Sequence, residues 1–306
     1  MTTTDQNILK TLGYFDIFNY PLTREEIYLF HPDHSGTSSI DAAIINLLEE
    51  KVIFEFSNFF SLQNDCTIAE KRRKGNSLAI GQMETARKVA ALLSKFPFVK
   101  AIAVSGSLSK NVATENSDID FFIVTEANRL WIARTIMHLY KKITFLTGRQ
   151  HWFCMNYYVD EAEPEITEKN IFTAMEIVTL VPLWGKKSMS HFFSGNAWAK
   201  KYFPMHNFSA ADSFEIKRGL IRRMVEKTLS GSFGNAIDER LMHITGKRWK
   251  KKTQNQELNS KGITMGMVVG KHYSKPDPKN FQDKVVNQYL LKLNHLLHIK
   301  TSSVQL

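Results

Sequence analysis

The most constraining feature of this chain is a Gly-Ser pair followed, after ten residues, by an Asp-x-Asp pattern, with an apolar segment on each side. The stretch reads VKAIAVSGSLSKNVATENSDIDFFIV. Residues 99–104 and 119–124 are short, apolar and partly β-branched, which is typical of buried strands. The sequence therefore predicts two strands connected through a polar segment that runs from Gly106 to Asp118.

The residue types of this polar segment indicate a metal and a phosphate as ligands. Gly106 lets the chain turn sharply and leaves backbone N–H groups free to face an anion. Side chains alternate along a strand, so Asp118, Asp120 and Phe122 are predicted to point one way and the residues between them into a core. Two neighbouring carboxylates both stay ionised only with a cation between them. A divalent cation that prefers oxygen ligands, most simply Mg²⁺, meets that need.

The combination of Gly106–Ser107, a spacer of ten residues and Asp118–Ile119–Asp120 on a strand resembles the nucleotidyltransferases related to DNA polymerase β. Kanamycin nucleotidyltransferase and the minimal nucleotidyltransferases belong to that family. The resemblance covers roughly residues 80–160. It implies an α+β fold whose nucleotidyltransferase core is a small mixed sheet with helices, flanked by an N-terminal winged-helix-like unit and a C-terminal helical region.

The resemblance also implies which residues act and on what. Gly106 and Ser107 would bind the phosphates of the nucleotide, and Asp118 and Asp120 would be the catalytic residues and the metal ligands. The cofactor would be Mg²⁺ or Mn²⁺. The substrate would be an NTP, from which a nucleoside monophosphate moves to a hydroxyl acceptor with release of pyrophosphate. The chain would then be a transferase of phosphorus-containing groups.

Active members of that family usually carry a third carboxylate on a later strand, and its position is open in this sequence. The next predicted strand spans residues 151–159. On the face that Trp152, Cys154 and Tyr158 share, Asn156 is the polar residue of suitable size. An amide coordinates a cation weakly and cannot serve as a base.

Two interpretations follow from Asn156. In the first, Asp160, Glu163 or Glu176 supplies the missing carboxylate, and the protein is an enzyme. In the second, catalysis is weakened or lost, and the protein binds a nucleotide in a regulatory role, for example as an antitoxin-like partner.

Residues 1–65 are predicted to form a winged-helix-like domain. Three helical segments precede a β-hairpin at residues 52–62. Thr23 and Glu26 form a capping-box signature at the second helix, and Ser39 is the predicted cap of the third. The wider layout resembles bacterial proteins that join such a unit to a nucleotidyltransferase domain. Residues 66–165 would then be the nucleotidyltransferase core and residues 166–306 the helical C-terminal region.

The charge of the N-terminal unit argues against DNA as its partner. Residues 1–65 contain three basic and ten acidic residues, a net charge of −7. Because neutralisation of phosphates dominates DNA affinity, a DNA-reading unit needs a basic face. The acidic unit is therefore predicted to dock a protein, and a winged-helix DNA-binding regulator is the less favoured alternative.

The C-terminal region carries the positive charge of the chain. Residues 200–306 contain 20 basic and 8 acidic residues, a net charge of +12. Such residues form either solvated faces or a basic wall that holds an anionic acceptor such as RNA. Residues 216–225 and 281–297 carry apolar stripes at helical spacing, while the polar segment 253–280 is predicted to be a connector or a lid.

The remaining features of the sequence bear on the cellular compartment. No secretion signal is visible at the N-terminus, and no apolar segment approaches the ~20 residues of a membrane-spanning helix. Cys66 and Cys154 are the only cysteines, and their spacing fits no metal motif. These features predict a cytoplasmic protein without membrane contact.

Overall fold

The computed structural model describes residues 1–258, 262, 264, 266–276 and 281–302. Its N-terminal part contains the three helices and the hairpin expected from the sequence. The predicted capping box at Thr23 and Glu26 is confirmed, because each side chain bonds the backbone of the other residue. The third helix begins at Thr37 rather than after Ser39, with Gly36 as its cap residue. The elements are α1 (Thr3–Asp16), α2 (Arg24–Leu29), α3 (Thr37–Glu49), β1 (Phe54–Phe56) and β2 (Phe59–Ser61).

The middle of the chain forms a six-stranded sheet with the order β6-β3-β4-β5-β8-β7. Strands β4 and β5 are parallel, and the other neighbours are antiparallel. The predicted mixed sheet with helices is therefore confirmed. Its strands are β3 (Val99–Val104), β4 (Asp120–Thr125), β5 (Cys154–Asp160), β6 (Val181–Trp184), β7 (Met267–Val269) and β8 (Tyr273–Pro276).

Helices follow most of these strands. They are α4 (Cys66–Leu93), α5 (Gly106–Ser109), α6 (Leu130–Thr144), α7 (Ile171–Val178), α8 (Lys186–Gly195), α9 (Leu220–Thr228), α10 (Gly231–Gln254) and α11 (Phe281–Ser302). Short 3₁₀ turns occupy Phe145–Thr147, Gln150–Trp152 and Ala197–Lys201. No helix in these described ranges is both long enough and apolar enough to cross a membrane.

The two faces of the sheet belong to different hydrophobic clusters. Ile119, Phe121 and Ile123 pack with α4 and α6 on one face, as the alternation along β4 predicts. Phe122 and Val124 pack on the other face, in a cluster that also contains residues of α1, α7 and α8. The N-terminal helices therefore share their core with the central sheet. The division into units of residues 1–65, 66–165 and 166–306, and the winged-helix character of the first, stay predictions.

The segment 253–280, predicted as a connector or a lid, contributes two strands. Strand β8 pairs with β5 and β7 pairs with β8, so the segment extends the sheet at its edge. Residues 259–261, 263, 265 and 277–280 lie outside the described residues. The strands are only three and four residues long, which leaves little periodic signal in the sequence.

Helix α9 reverses the usual orientation of an amphipathic helix. The apolar stripe found in the sequence is turned outward, with Leu220 78%, Ile221 81% and Met224 70% exposed. The polar side chains of Arg222 and Glu226 are buried instead. The second apolar stripe behaves as predicted, since Val285 and Tyr289 of α11 are buried.

Candidate functional site

The Gly-Ser pair and the Asp-x-Asp pattern lie next to each other in the fold. Strand β3 ends at Val104, and the amide of Ser105 donates to the carbonyl of Asp120 over 2.9 Å. Gly106 follows with φ 69°, in the left-handed region. A Cβ built on Gly106 would stand 2.7 Å from Oδ2 of Asp120. Glycine is therefore required here both by the backbone conformation and by the carboxylate beside it.

Asp120 is a half-buried carboxylate at the start of β4. Burial raises the pKa of Asp120 from 3.8 to about 6; a hydrogen bond from the Cys154 thiol opposes the rise, and the charges of Asp118 and Glu176 add to it. The negative charges of these carboxylates are therefore compensated only in part by nearby basic side chains. A divalent cation beside the oxygens would offset the unfavourable free energy of keeping them ionised close together.

Asp118 precedes β4 by two residues and meets a partner in the 3₁₀ turn Gln150–Trp152. The strand predicted for residues 151–159 begins only at Cys154. The Oδ1 atom of Asp118 lies 2.7 Å from Nδ1 of His151. The amide of Ile119 also donates to the carbonyl of His151 over 3.0 Å. The sequence reasoning did not single out His151. The parallel pairing of β4 with β5 explains the contact, because the residues that precede two parallel strands come together at one end of the sheet.

Asp160 and Glu163 lie far from Asp120. In the parallel register Asp120 is opposite Cys154, whereas Asp160 is opposite Thr125 at the other end of the strand. The Asp160 carboxylate accepts from the amide of Asn128 over 2.9 Å and lies 2.9 Å from Nδ1 of His272. Glu163 reaches the same histidine. Neither of these carboxylates is placed to act with Asp120.

Glu176, the third alternative, lies close to the Gly-Ser pair. Lys110 lies between them, since its Nζ donates to Oε1 of Glu176 over 2.8 Å and to the carbonyl of Gly106 over 3.2 Å. The charge of Glu176 also raises the pKa of Asp120. Of the three carboxylates considered from the sequence, Glu176 is therefore the one that the fold brings to the site. Lys110, which the sequence reasoning did not single out, holds it there.

Asn156 sits at an irregularity of β5. Residues Phe121 and Phe122 are consecutive on β4, but their partners Met155 and Tyr157 are separated by Asn156. The predicted face of β5 was therefore partly wrong: Tyr158 packs with Met155 in the cluster on the far side of the sheet, whereas Asn156 opens onto the cavity described next. The extra residue shifts the alternation, and no sequence signal marks it.

A cavity of about 550 Å³ adjoins the Gly-Ser pair. Its floor includes Ser107, Phe122 and Asn156 of the sheet region, and its walls come from α1, α7, β8 and α11. Most of the exposed lining is aromatic or aliphatic. The basic run at residues 247–252 takes no part in the lining, because α10 packs on α6 beyond the opposite face of the sheet.

The donor set at the strand ends suits a hard divalent cation. Within the described residues, no three His, Cys, Asp or Glu side chains form a cluster that could hold a metal by itself. Mg²⁺ is commonly held by one or two carboxylates together with substrate phosphates. Asp120 provides a carboxylate oxygen beside the turn at Gly106, and Asp118 lies two residues before it with its Oδ1 atom on His151.

Comparison with known proteins identifies one related domain. Residues 86–174 match the family model described as nucleotidyltransferase domain. Neither the curated proteins nor the solved structures yield a significant match. The matched segment runs from the last turns of α4 into α7 and contains the Gly-Ser pair, both aspartates and Asn156. It supports the nucleotidyltransferase superfamily, with a nucleotide as substrate and nucleoside monophosphate transfer as the general chemistry.

Proposed function

We propose that this protein transfers a nucleoside monophosphate from an NTP to the hydroxyl group of an acceptor. The observation that carries the proposal is the close approach of the Asp120 carboxylate to the turn at Gly106, where a side chain would stand 2.7 Å from Oδ2. A phosphate bound at the Gly-Ser turn would lie beside the carboxylates of the Asp-x-Asp pattern. Phosphoryl transfer requires the phosphate and the carboxylates to lie side by side, because its catalysis consists mainly of positioning and charge stabilisation.

Each residue of the site has a role in this proposal. The backbone at Gly106 and the side chain of Ser107 bind the phosphates. Asp118 and Asp120 would hold Mg²⁺ or Mn²⁺, which when bound would stabilise the charge that develops on the α-phosphate. His151 keeps Asp118 oriented through their hydrogen bond. Lys110 holds Glu176 beside the turn.

The proposed reaction is an in-line displacement at the α-phosphorus. The acceptor oxygen forms a bond to the α-phosphorus, and the bond from that phosphorus to the oxygen bridging to the β-phosphate breaks. Pyrophosphate leaves with the electron pair of that bond. The hydroxyl proton passes to the carboxylate of Glu176, which takes the part of the family's third carboxylate in place of Asn156.

The proposal is tested by removing one carboxylate charge. In Asp120→Asn we expect Mg²⁺-dependent NTP binding, measured by calorimetry, to weaken by about 100-fold, a magnitude typical of lost metal contacts. Asp212→Asn is the matched control, because Asp212 is exposed and lies outside the site. Unchanged binding in Asp120→Asn, or equal losses in both variants, would contradict the assignment.

A second candidate function is nucleotide binding without transfer, and Asn156 is the observation that favours it. In that case NTP binding would still depend on Mg²⁺, but no acceptor would receive the α-phosphate. Incubation with α-labelled NTPs, Mg²⁺ or Mn²⁺ and a cell extract separates the two candidates: label in any acceptor fraction excludes the silent form. An interaction of the acidic N-terminal unit with a protein partner is compatible with both.

A further inference from the structure

We propose that the cavity beside Gly106 binds the acceptor, and that this acceptor is a small, uncharged alcohol or phenol with an aromatic or similarly apolar body. The inference rests on the proposed transfer and adds the class of its second substrate. Three properties of the cavity lead to it: its size and apolarity, the pairing of its charged groups, and the origin of its walls.

The cavity has the dimensions and surface of a small-molecule site. Its volume of about 550 Å³ falls within the ~300–1,000 Å³ typical of ligand pockets. Aromatic rings from three parts of the chain line it, among them Phe18, Phe172 and Phe281. Phe172 and Phe281 meet edge to face with ring centroids 5.8 Å apart. A ligand with an apolar ring would bury its surface against these rings.

The charged groups of the lining are already neutralised. Lys110 pairs with Glu176 over 2.8 Å, and Lys275 pairs with Glu168 over 2.6 Å. Both lysines are mostly buried, and recruiting either for a phosphate would break an existing pair. A polyanion such as RNA therefore finds no uncompensated cation in the described lining. Asn156 and Thr173 remain as neutral hydrogen-bonding groups that can orient a hydroxyl.

Half of the residues that line the cavity lie outside the matched domain. Residues 86–174 contribute the floor and the first part of α7, and the rest of α7 lies just beyond them. Tyr14 and Phe18 of the N-terminal part, together with Lys275 and Phe281 of the C-terminal part, complete the enclosure. The nucleotide is the substrate that the matched domain accounts for. Elements that this chain adds around it are therefore assigned to the acceptor.

Binding of a neutral probe tests the assignment without requiring catalysis. The probe is N-phenyl-1-naphthylamine, an uncharged aromatic compound whose fluorescence rises in apolar surroundings. We expect saturable binding to the full chain, and simultaneous binding of probe and Mg²⁺–NTP with each of the four nucleotides. Displacement of the probe by Mg²⁺–NTP would assign the cavity to the nucleotide, and absence of saturable binding would refute an apolar site; either result overturns the inference.

Variants at the mouth of the cavity locate the probe. Phe18 and Phe281 are 43% and 46% exposed and line the cavity, so Phe18→Glu and Phe281→Glu should fold. Each is expected to weaken probe binding by about tenfold, because the new carboxylate must be desolvated against the ligand. The matched control is Phe233→Glu, at a position 63% exposed and away from the cavity. Equal effects in all three variants would place the probe elsewhere and overturn the inference.

The product of the labelling reaction identifies the acceptor class. Label from the α-phosphate should appear in a small product that is retained on a reversed-phase column and survives ribonuclease and protease. A labelled RNA or protein would overturn the acceptor class while leaving the proposed transfer intact. Absence of label from every fraction would overturn the transfer and, with it, the acceptor role of the cavity, even where the neutral probe binds.

Discussion

Gly106 combines a φ of 69° with a carboxylate oxygen 2.7 Å from the place where a Cβ would stand. The backbone conformation alone makes a side chain unfavourable by roughly 1–2 kcal/mol. The contact with Asp120 adds a second, independent restriction. The two effects can be separated, because Gly148 has a φ of 68° with nothing within 4 Å of its Cβ position.

Alanine at the two glycines is expected to give different results. Gly148→Ala should lower the free energy of unfolding by about 1 kcal/mol, and Gly106→Ala should lower it by more, because its Cβ would also overlap Asp120. Gly106→Ala should also displace Asp120 and weaken Mg²⁺-dependent NTP binding at least tenfold, whereas Gly148→Ala should leave binding unchanged. Chemical denaturation and calorimetry measure the two quantities. Similar binding constants in both variants would show that the contact with Asp120 does not matter for the nucleotide.

Asp120 gives the protein a specific dependence of stability on pH. Burial raises its pKa from 3.8 to about 6, so the folded state holds this proton more tightly than the unfolded state does. The contribution of Asp120 to stability is therefore most favourable below about pH 4 and is lost as the pH rises through about 6. Asp238, whose pKa burial also raises to about 6, shifts stability in the same direction.

Comparison of the wild type with Asp120→Asn isolates the contribution of this carboxylate. With EDTA present, the variant should gain about 1–2 kcal/mol of unfolding free energy relative to the wild type between pH 5 and pH 8. Mg²⁺ should stabilise the wild type at pH 8 and much less at pH 5, because the proton competes with the cation. A difference between the two proteins that does not change with pH would contradict the raised pKa.

The parts of the candidate site that could be predicted are those that are near in sequence. Gly106 and Ser107 directly follow β3, Asp118 and Asp120 stand at the beginning of the next strand, β4, and strand alternation alone places the aspartates on one side. His151 depends on the parallel register of β4 and β5, which the sequence did not specify. Lys110 and Glu176 are 66 residues apart, and only the packing of α7 brings them together.

At the scale of elements, α9 shows why an apolar stripe does not always mark the buried side of a helix. Arg222 donates to the carbonyls of Ser94 and Val99, each over 2.7 Å. Glu226 accepts from Arg222 over 2.7 Å and from the amide of Phe98 over 2.9 Å. These backbone groups at the junction of α4 and β3 need partners when they are buried. Satisfying them turns the polar side of α9 inward and leaves its apolar side in water.

Removal of the buried arginine tests this account of α9. Arg222→Ala should lower the free energy of unfolding by about 3–5 kcal/mol, because Glu226 and two carbonyls lose their partner inside the protein. Arg223→Ala, one position away and exposed, should change it by less than about 0.5 kcal/mol. Urea unfolding measures both values. Comparable small effects would mean that the polar side of α9 is not needed to hold the helix in place.

At the scale of the whole molecule, the two ends of the chain pack against each other. The rings of Tyr14 in α1 and Tyr289 in α11 meet edge to face with centroids 5.7 Å apart, and Lys292 pairs with Asp16. A Cβ on Gly13 would meet Leu296 at 3.2 Å. The sequence predicted helices in both regions but carried no sign that they touch, because no local pattern records a contact over such a separation.

A double-mutant cycle tests the connection between the ends. Tyr14→Ala and Tyr289→Ala should each destabilise the protein, and the coupling between them should be about 0.5–1.5 kcal/mol, as for other aromatic pairs. Thermal or urea unfolding of the four proteins gives this value. Strictly additive effects, together with two separate unfolding transitions, would favour an N-terminal unit that folds independently of the rest.

The enclosure of one cavity by elements from both ends of the chain has a pharmacological consequence. A compound bound only at the turn beside Gly106 would contact residues of the matched domain alone. A compound extended toward Tyr14 and Phe281 would instead meet side chains contributed by segments outside the shared domain. Selective ligands of this protein should therefore be sought by growing fragments in that direction.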